Sequence, residues 1–211
     1  MVRYYGQFGQ DKHLMEEIYS GLKQGYFVDV GAYDGENMSN TLTLEVSYQW
    51  KGICAEPNAR LFKLLKERRS CICTDLAVWN KDNATVEFWD DDVGGCSSIG
   101  DKSVLNTHAS KTSVNTITLK TLLDQSNAPN FIEYMSMDTE GTEYDILAEF
   151  DASSSFDQYT FGYLTIEHNF EQPKRQKIQS LLESKGYKLF RSHHVDDEYI
   201  NKSVVPKQRL L

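Results

Sequence analysis

The chain has 211 residues, 40% of them apolar and 25% charged, a balance that excludes a disordered polar chain and a fibrous repeat and suits one continuous core. Its 31 acidic residues against 22 lysines and arginines give a net charge of −9, a field that repels phosphate backbones and anionic lipid, so nucleic acid is not expected as a partner. No run of about 18 apolar residues occurs, and the first residues lack the charged-then-apolar layout of a secretory leader; the expectation is a cytoplasmic protein without a membrane span, with Cys54, Cys71, Cys73 and Cys96 reduced.

Leu14, Ile18 and Leu22 recur at helical spacing until Gly25 breaks the pattern before Tyr26, Phe27 and Val28, which predicts helix, turn, strand. Residues 42–46 read as a helix, 52–55 as a strand, and Leu61, Leu64 and Leu65 give the next helix its apolar face. A strand follows at 71–74 and another at 85–89, with Trp79 and Trp89 expected in the core. Residues 90–112 are polar and weakly periodic, and are expected to form a long surface loop or lid. Thr118 is placed to cap a helix carrying Leu119, Leu122 and Leu123. Strands are predicted at 134–137 and 163–166, each leading into a helix-like stretch, the second of which starts near Pro173 and ends at Gly186 before a strand at 187–190. His193 and His194, ahead of Asp196 and Asp197, read as a solvated turn. Strands alternating with helices imply parallel crossovers, hence a single α/β domain over residues 1–211 built on an open twisted sheet, mostly parallel, with helices on both faces. Ligands of such sheets bind beyond the strand carboxyl ends, where strand order reverses.

Three constellations lie at those ends. The first is Asp29-Val30-Gly31-Ala32-Tyr33-Asp34-Gly35, directly after a strand, where small residues let backbone approach a ligand. A third glycine is missing, and Asp29, Asp34 and Glu36 would repel a pyrophosphate, so a dinucleotide is disfavoured; the same carboxylates suit S-adenosylmethionine, which carries a sulfonium and an ammonium. The second is Glu56, at a strand end before Pro57, suited to accept two hydrogen bonds from ribose hydroxyls, with Asp75 after the third strand as a candidate for the adenine amino group. The third joins Asp138-Thr139-Glu140-Gly141 to Glu167-His168-Asn169. Methyl transfer to a hydroxyl is an in-line displacement that needs an aligned acceptor and a base. His168, titrating nearest neutrality, is read as that base, with Asp138 and Glu140 orienting it or holding acceptor hydroxyls. A divalent cation held by Asp138 with Glu167, Glu140 or His168 is the other reading of this cluster, and the sequence leaves both open.

Taken together in order, these motifs resemble the FkbM-type S-adenosylmethionine-dependent methyltransferases. The resemblance runs from about Tyr4 to Tyr187 and rests on Gly6-Gln7-Phe8-Gly9-Gln10-Asp11, Phe27-Val28-Asp29-Val30-Gly31-Ala32-Tyr33-Asp34-Gly35 with Ser39-Asn40-Thr41, Glu56-Pro57-Asn58, Gly95-Cys96-Ser97-Ser98, Asp138-Thr139-Glu140-Gly141-Thr142-Glu143 and Ile166-Glu167-His168-Asn169. It implies a class I methyltransferase fold, with the cofactor over Gly31, Asp34 and Glu56, beside Gly35, Asn40 and Pro57, and with Gln10 and Asp11 brought toward it. It also implies O-methylation of a sugar, glycan or small-molecule acceptor held by Ser97, Ser98, Glu167 and Asn169. A cofactor-binding module without turnover is the alternative, and a nucleotide-dependent oxidoreductase the weaker one.

Overall fold

The computed structural model describes residues 2–90, 97–99 and 110–201. Helix α1 (Gln10–His13) runs into Leu14–Ile18, a wider turn in which the Tyr19 amide reaches the Leu14 carbonyl five residues back. Gly21, at φ 77°, closes it, and Leu22 is left exposed rather than continuing the helix. Then come β1 (Tyr26–Val30), α2 (Leu42–Tyr48), β2 (Lys51–Ala55) and α3 (Ala59–Arg68), whose first turn is capped by the Asn58 side chain accepting from the Arg60 and Leu61 amides. Short strands β3 (Ile72–Thr74) and β4 (Ala77–Val78) follow, then β5 (Thr85–Asp90), β6 (Ser97–Ile99) and β7 (Ser110–Ile117). Helix α4 (Leu119–Gln125) is capped by Thr118 as expected. The rest alternates: β8 (Phe131–Met137), α5 (Glu143–Ala152), β9 (Thr160–Glu167), α6 (Gln172–Ser184), β10 (Tyr187–His193) and β11 (Asp196–Asn201).

Seven strands form the main sheet in the order β3-β2-β1-β8-β9-β11-β10. All neighbouring pairs are parallel except those of β11, which runs antiparallel to both β9 and β10. The chain builds outward from β1 through β2 to β3, then crosses back to lay β8 on the other side of β1; β1 and β8 thus flank the switch point. Alternation along the strands divides the core. Val28, Val30, Leu164 and Ile166 pack with α4, α5 and α6, while Phe27, Tyr134 and Tyr163 pack with Leu14, Leu44 and Leu65 of the other helical layer. The sheet is therefore covered on both faces.

A second sheet, β4-β7-β5-β6, was only partly foreseen. The expected loop of residues 90–112 contains β6 and the start of β7, both pairing with β5; its segments 91–96 and 100–109 lie outside the described residues, as does Cys96. The turn expected at His193 and His194 ahead of Asp196 and Asp197 is confined to His194 and Val195; Asp196 and Asp197 already start β11, because pairing with β9 and β10 satisfies its backbone and buries both residues. Trp79 and Trp89 are half-buried rather than in the core, Trp89 lying beneath the Lys111 ammonium. Cys54, Cys71 and Cys73 are free thiols, and no helix of the described residues is long and apolar enough to cross a membrane.

Candidate active site

A cavity of about 380 Å³ opens at the switch point, within the roughly 300–1,000 Å³ range of small-molecule sites. On the β2 side Ala55, Pro57, Leu61, Val78 and Phe88 line it with apolar surface. Asp29, Glu56, Asp138, Glu140, Glu167 and Asp196 also line it, and among the described residues no lysine, arginine or histidine does. Such a cavity attracts cations and repels phosphate.

The β1 end is built by close backbone approach. Gly31 sits at φ 85°, and a Cβ there would lie 1.8 Å from the Asp138 carbonyl oxygen, so only glycine fits. Asp29 is 4% exposed and accepts a 2.5 Å bond from the Thr41 hydroxyl; burial pushes its carboxyl up, opposed by that bond and by Arg69. The Arg69 guanidinium, fully buried, pairs with Glu45 at 2.7 Å and donates to the Thr41 hydroxyl at 3.0 Å and the Gly35 carbonyl at 3.4 Å. Sequence reasoning missed this anchor, since nothing local marks an arginine at a helix end as buried. Glu56 accepts from the Tyr33 and Asn58 amides at 3.0 and 2.9 Å, one on each oxygen. Burial lifts its carboxyl to about 7 despite those bonds.

At the other end, Asp138 follows β8 and Glu167 ends β9. The turn between Asp138 and α5 is held by Glu143, whose carboxylate accepts from the Thr139 amide and hydroxyl and the Gly141 amide at 2.9, 2.7 and 3.1 Å. Glu140, at φ 56°, is steadied by Asn169, whose amide nitrogen donates to its carboxylate at 3.2 Å, and by Ser98, whose hydroxyl donates to its carbonyl at 3.1 Å. One oxygen from each of Asp138, Glu140 and Glu167 falls within 4.8 Å of the others. Desolvation first, then the neighbouring charges, raises the Asp138 and Glu167 carboxyls.

Several expected residues are not brought to the cavity. His168 follows Glu167 in sequence, so alternation turns it to the opposite face of β9, toward α6. There its Nδ1 accepts from the Phe170 amide at 3.0 Å and its Nε2 lies 3.7 Å from Asp197, which Arg175 also binds; burial lowers its pKa. It touches none of the cavity acids assigned to orient it. Asp11 is fully buried but ties the lead-in to α2, accepting from the Tyr5 amide at 2.7 Å and the Thr43 hydroxyl at 2.5 Å. Asp34 closes its own loop, accepting from the Glu36 and Asn37 amides and pairing with Arg68 at 2.6 Å. Gly35 packs against α3, Ser98 braces Glu140 from outside the lining, and Asp75 is exposed and away from the cavity. Gln10, Asn40, Pro57, Ser97 and Asn169 do line it. So does Asp196, unforeseen, which accepts from the Gln10 side chain at 2.7 Å across 186 positions.

The sequence matches the family model of the methyltransferase FkbM domain over residues 29–189. This chain belongs to the FkbM methyltransferase family. It is accordingly an S-adenosylmethionine-dependent methyltransferase on a mostly parallel α/β sheet. The matched region excludes both Gln10 and Asp196. No curated protein matches the chain. Similar solved structures include a methyltransferase from Pyrococcus furiosus (9% identity, 94% of this chain and 86% of that one, TM-score 0.46). A precorrin-6y C5,15-methyltransferase from Geobacter metallireducens GS-15 is also similar (11%, 85% and 79%, 0.44), as is the fibrillarin pre-rRNA processing protein of Methanococcus jannaschii (11%, 86% and 68%, 0.48).

Proposed function

We propose that this FkbM-family domain methylates a hydroxyl oxygen of an uncharged, hydroxyl-rich acceptor such as a sugar, a glycan or a small natural product. The observation that carries the proposal is the carboxylate lining, with no basic side chain among the described residues of the cavity. Hydroxyl groups donate to carboxylates, whereas phosphates are repelled by them and call for the cationic side chains that the described lining does not offer. Nucleic acid is disfavoured on the same ground, reinforced by the net charge of −9.

In this reading Glu56 holds the ribose hydroxyls, each of its oxygens keeping acceptor capacity beyond its amide bond. Apolar Leu61, Val78 and Phe88 flank the base, and Asp29, Gly31, Asn40 and Gln10 surround the amino-acid end. When bound, S-adenosylmethionine supplies a methyl group on a sulfonium sulfur that departs with the carbon–sulfur bonding pair. Asp138, Glu140 and Glu167 align the acceptor hydroxyl, whose oxygen lone pair forms the new O–C bond while its proton passes to the carboxylate cluster or to water. Ser97 and Asn169 line the acceptor side. His168 acts through position only, as a fixed group beneath Glu167. A reducing, cytoplasmic setting for the free thiols completes the proposal.

The test is label transfer from methyl-tritiated donor to neutral sugars and glycosides, to their phosphorylated counterparts, and to RNA. Base-stable label on neutral hydroxyl compounds is expected. Label on RNA or on phosphorylated sugars alone would overturn the acceptor class, and binding of the donor without transfer to any acceptor would favour a module without turnover.

A further inference from the structure

We infer that Asp138, Glu140 and Glu167 form a binding site for one divalent cation, Mg²⁺ foremost, at the acceptor end of the cavity. The inference rests on the proposed division of the cavity into cofactor and acceptor ends. Three hard oxygen donors come from separate positions, past β8, in the following turn and at the end of β9, yet one oxygen of each falls within 4.8 Å of the others. That spacing suits a face of an oxygen-ligated ion. A second observation points the same way. Glu167 is 5% exposed and lines the cavity, and its Oε2 finds no hydrogen-bond donor among the described residues. A buried carboxylate oxygen left in this way costs free energy until a proton or a cation reaches it.

The surroundings make a cation the better partner. Asp196 sits directly opposite Glu167 in the β9–β11 ladder and also lines the cavity, adding a fourth carboxyl on the same face. Two basic groups of the adjoining helix are engaged elsewhere: Lys174 with the Gly141 carbonyl and Glu171, both at 2.8 Å, and Arg175 with Asp197 at 2.7 Å. Asn169 and Ser98 brace Glu140 in the manner of groups that orient a ligand. The cavity leaves room for water and an acceptor oxygen to complete the coordination, as Mg²⁺ sites commonly do. With His168 turned away, an ion here would supply what a histidine base was expected to supply, by favouring the ionised acceptor hydroxyl.

The test titrates Mg²⁺, and Mn²⁺ as a spectroscopic probe, into the full chain saturated with S-adenosylhomocysteine. One saturable site is expected, with Glu167→Gln and Asp138→Asn each weakening it by at least about tenfold while the nucleoside still binds. No saturable binding below about 10 mM, beyond the roughly millimolar range of weak sites, would overturn the inference, as would variants that bind the ions unchanged. Should the variants fail to fold, Mn²⁺ broadening of wild-type amide resonances decides: loss centred on Glu140, Gly141 and Asn169 supports the site, and loss centred elsewhere sinks it. If the nucleoside itself does not bind, the cofactor reading fails; if it binds and the ions do not, only the cation site does.

Discussion

Glu56 combines 6% exposure, two backbone amides and a carboxyl raised from 4.5 to about 7. Because its folded value exceeds the unfolded one, the native chain keeps a proton that the unfolded chain has released between those two values. The associated stability is therefore present at low pH and is lost as pH rises through about 7. The shift corresponds to on the order of 3 kcal/mol. Denaturant titrations at several pH values should show wild type losing stability relative to Glu56→Gln across that window, and a difference that grows the other way would contradict the assignment. The ionised form is the pure acceptor, so S-adenosylhomocysteine should bind more tightly as pH rises through the same range. Glu56→Gln should flatten that trend in calorimetric titrations.

At the scale of elements, two rules decide what faces the cavity. Arg69, just past α3, locks the loop after β1 by reaching Glu45, Thr41, Ser39 and Gly35. Replacing it with methionine strands the Glu45 carboxylate and should cost about 3–5 kcal/mol, read as a shift in the urea midpoint, with weakened nucleoside binding as the loop loosens. An unchanged midpoint would mean that the guanidinium is dispensable. The second rule is the two-residue period of β9. Glu167 faces the cavity and His168 lies beside α6, so His168→Gln should lower the saturated rate by far less than the roughly 10²–10⁴-fold expected on losing a general base. Glu167→Gln should lower it severely. Initial rates with any accepted substrate separate the two, and equal losses would return His168 to the chemistry.

At the scale of the whole molecule, the lead-in to α1 and the turn before β11 meet beside the cavity. Phe8 stacks on His194 at 4.2 Å, and Gln10 reaches Asp196 at 2.7 Å. A double-mutant cycle with Gln10→Ala and Asp196→Ala, read in nucleoside affinity, should show coupling of about 0.5–3 kcal/mol; additive effects would mean that the contact carries nothing.

The order of the main-sheet strands from β1 to β10 and of the helices between them, the glycine turn after β1, the acids at strand ends and the family were legible in the sequence. Each of these is written in neighbouring residues, through hydrophobic period, glycine placement and short motifs. Tertiary structure decided which strand-end acids share one cavity, that His168 turns away from it, that Asp11 and Asp34 serve the scaffold, and that Asp196 belongs beside Glu167. The reason is physical: a side chain's direction follows from strand parity and pairing register, and β11 finds its place only once β9 and β10 lie on either side of it.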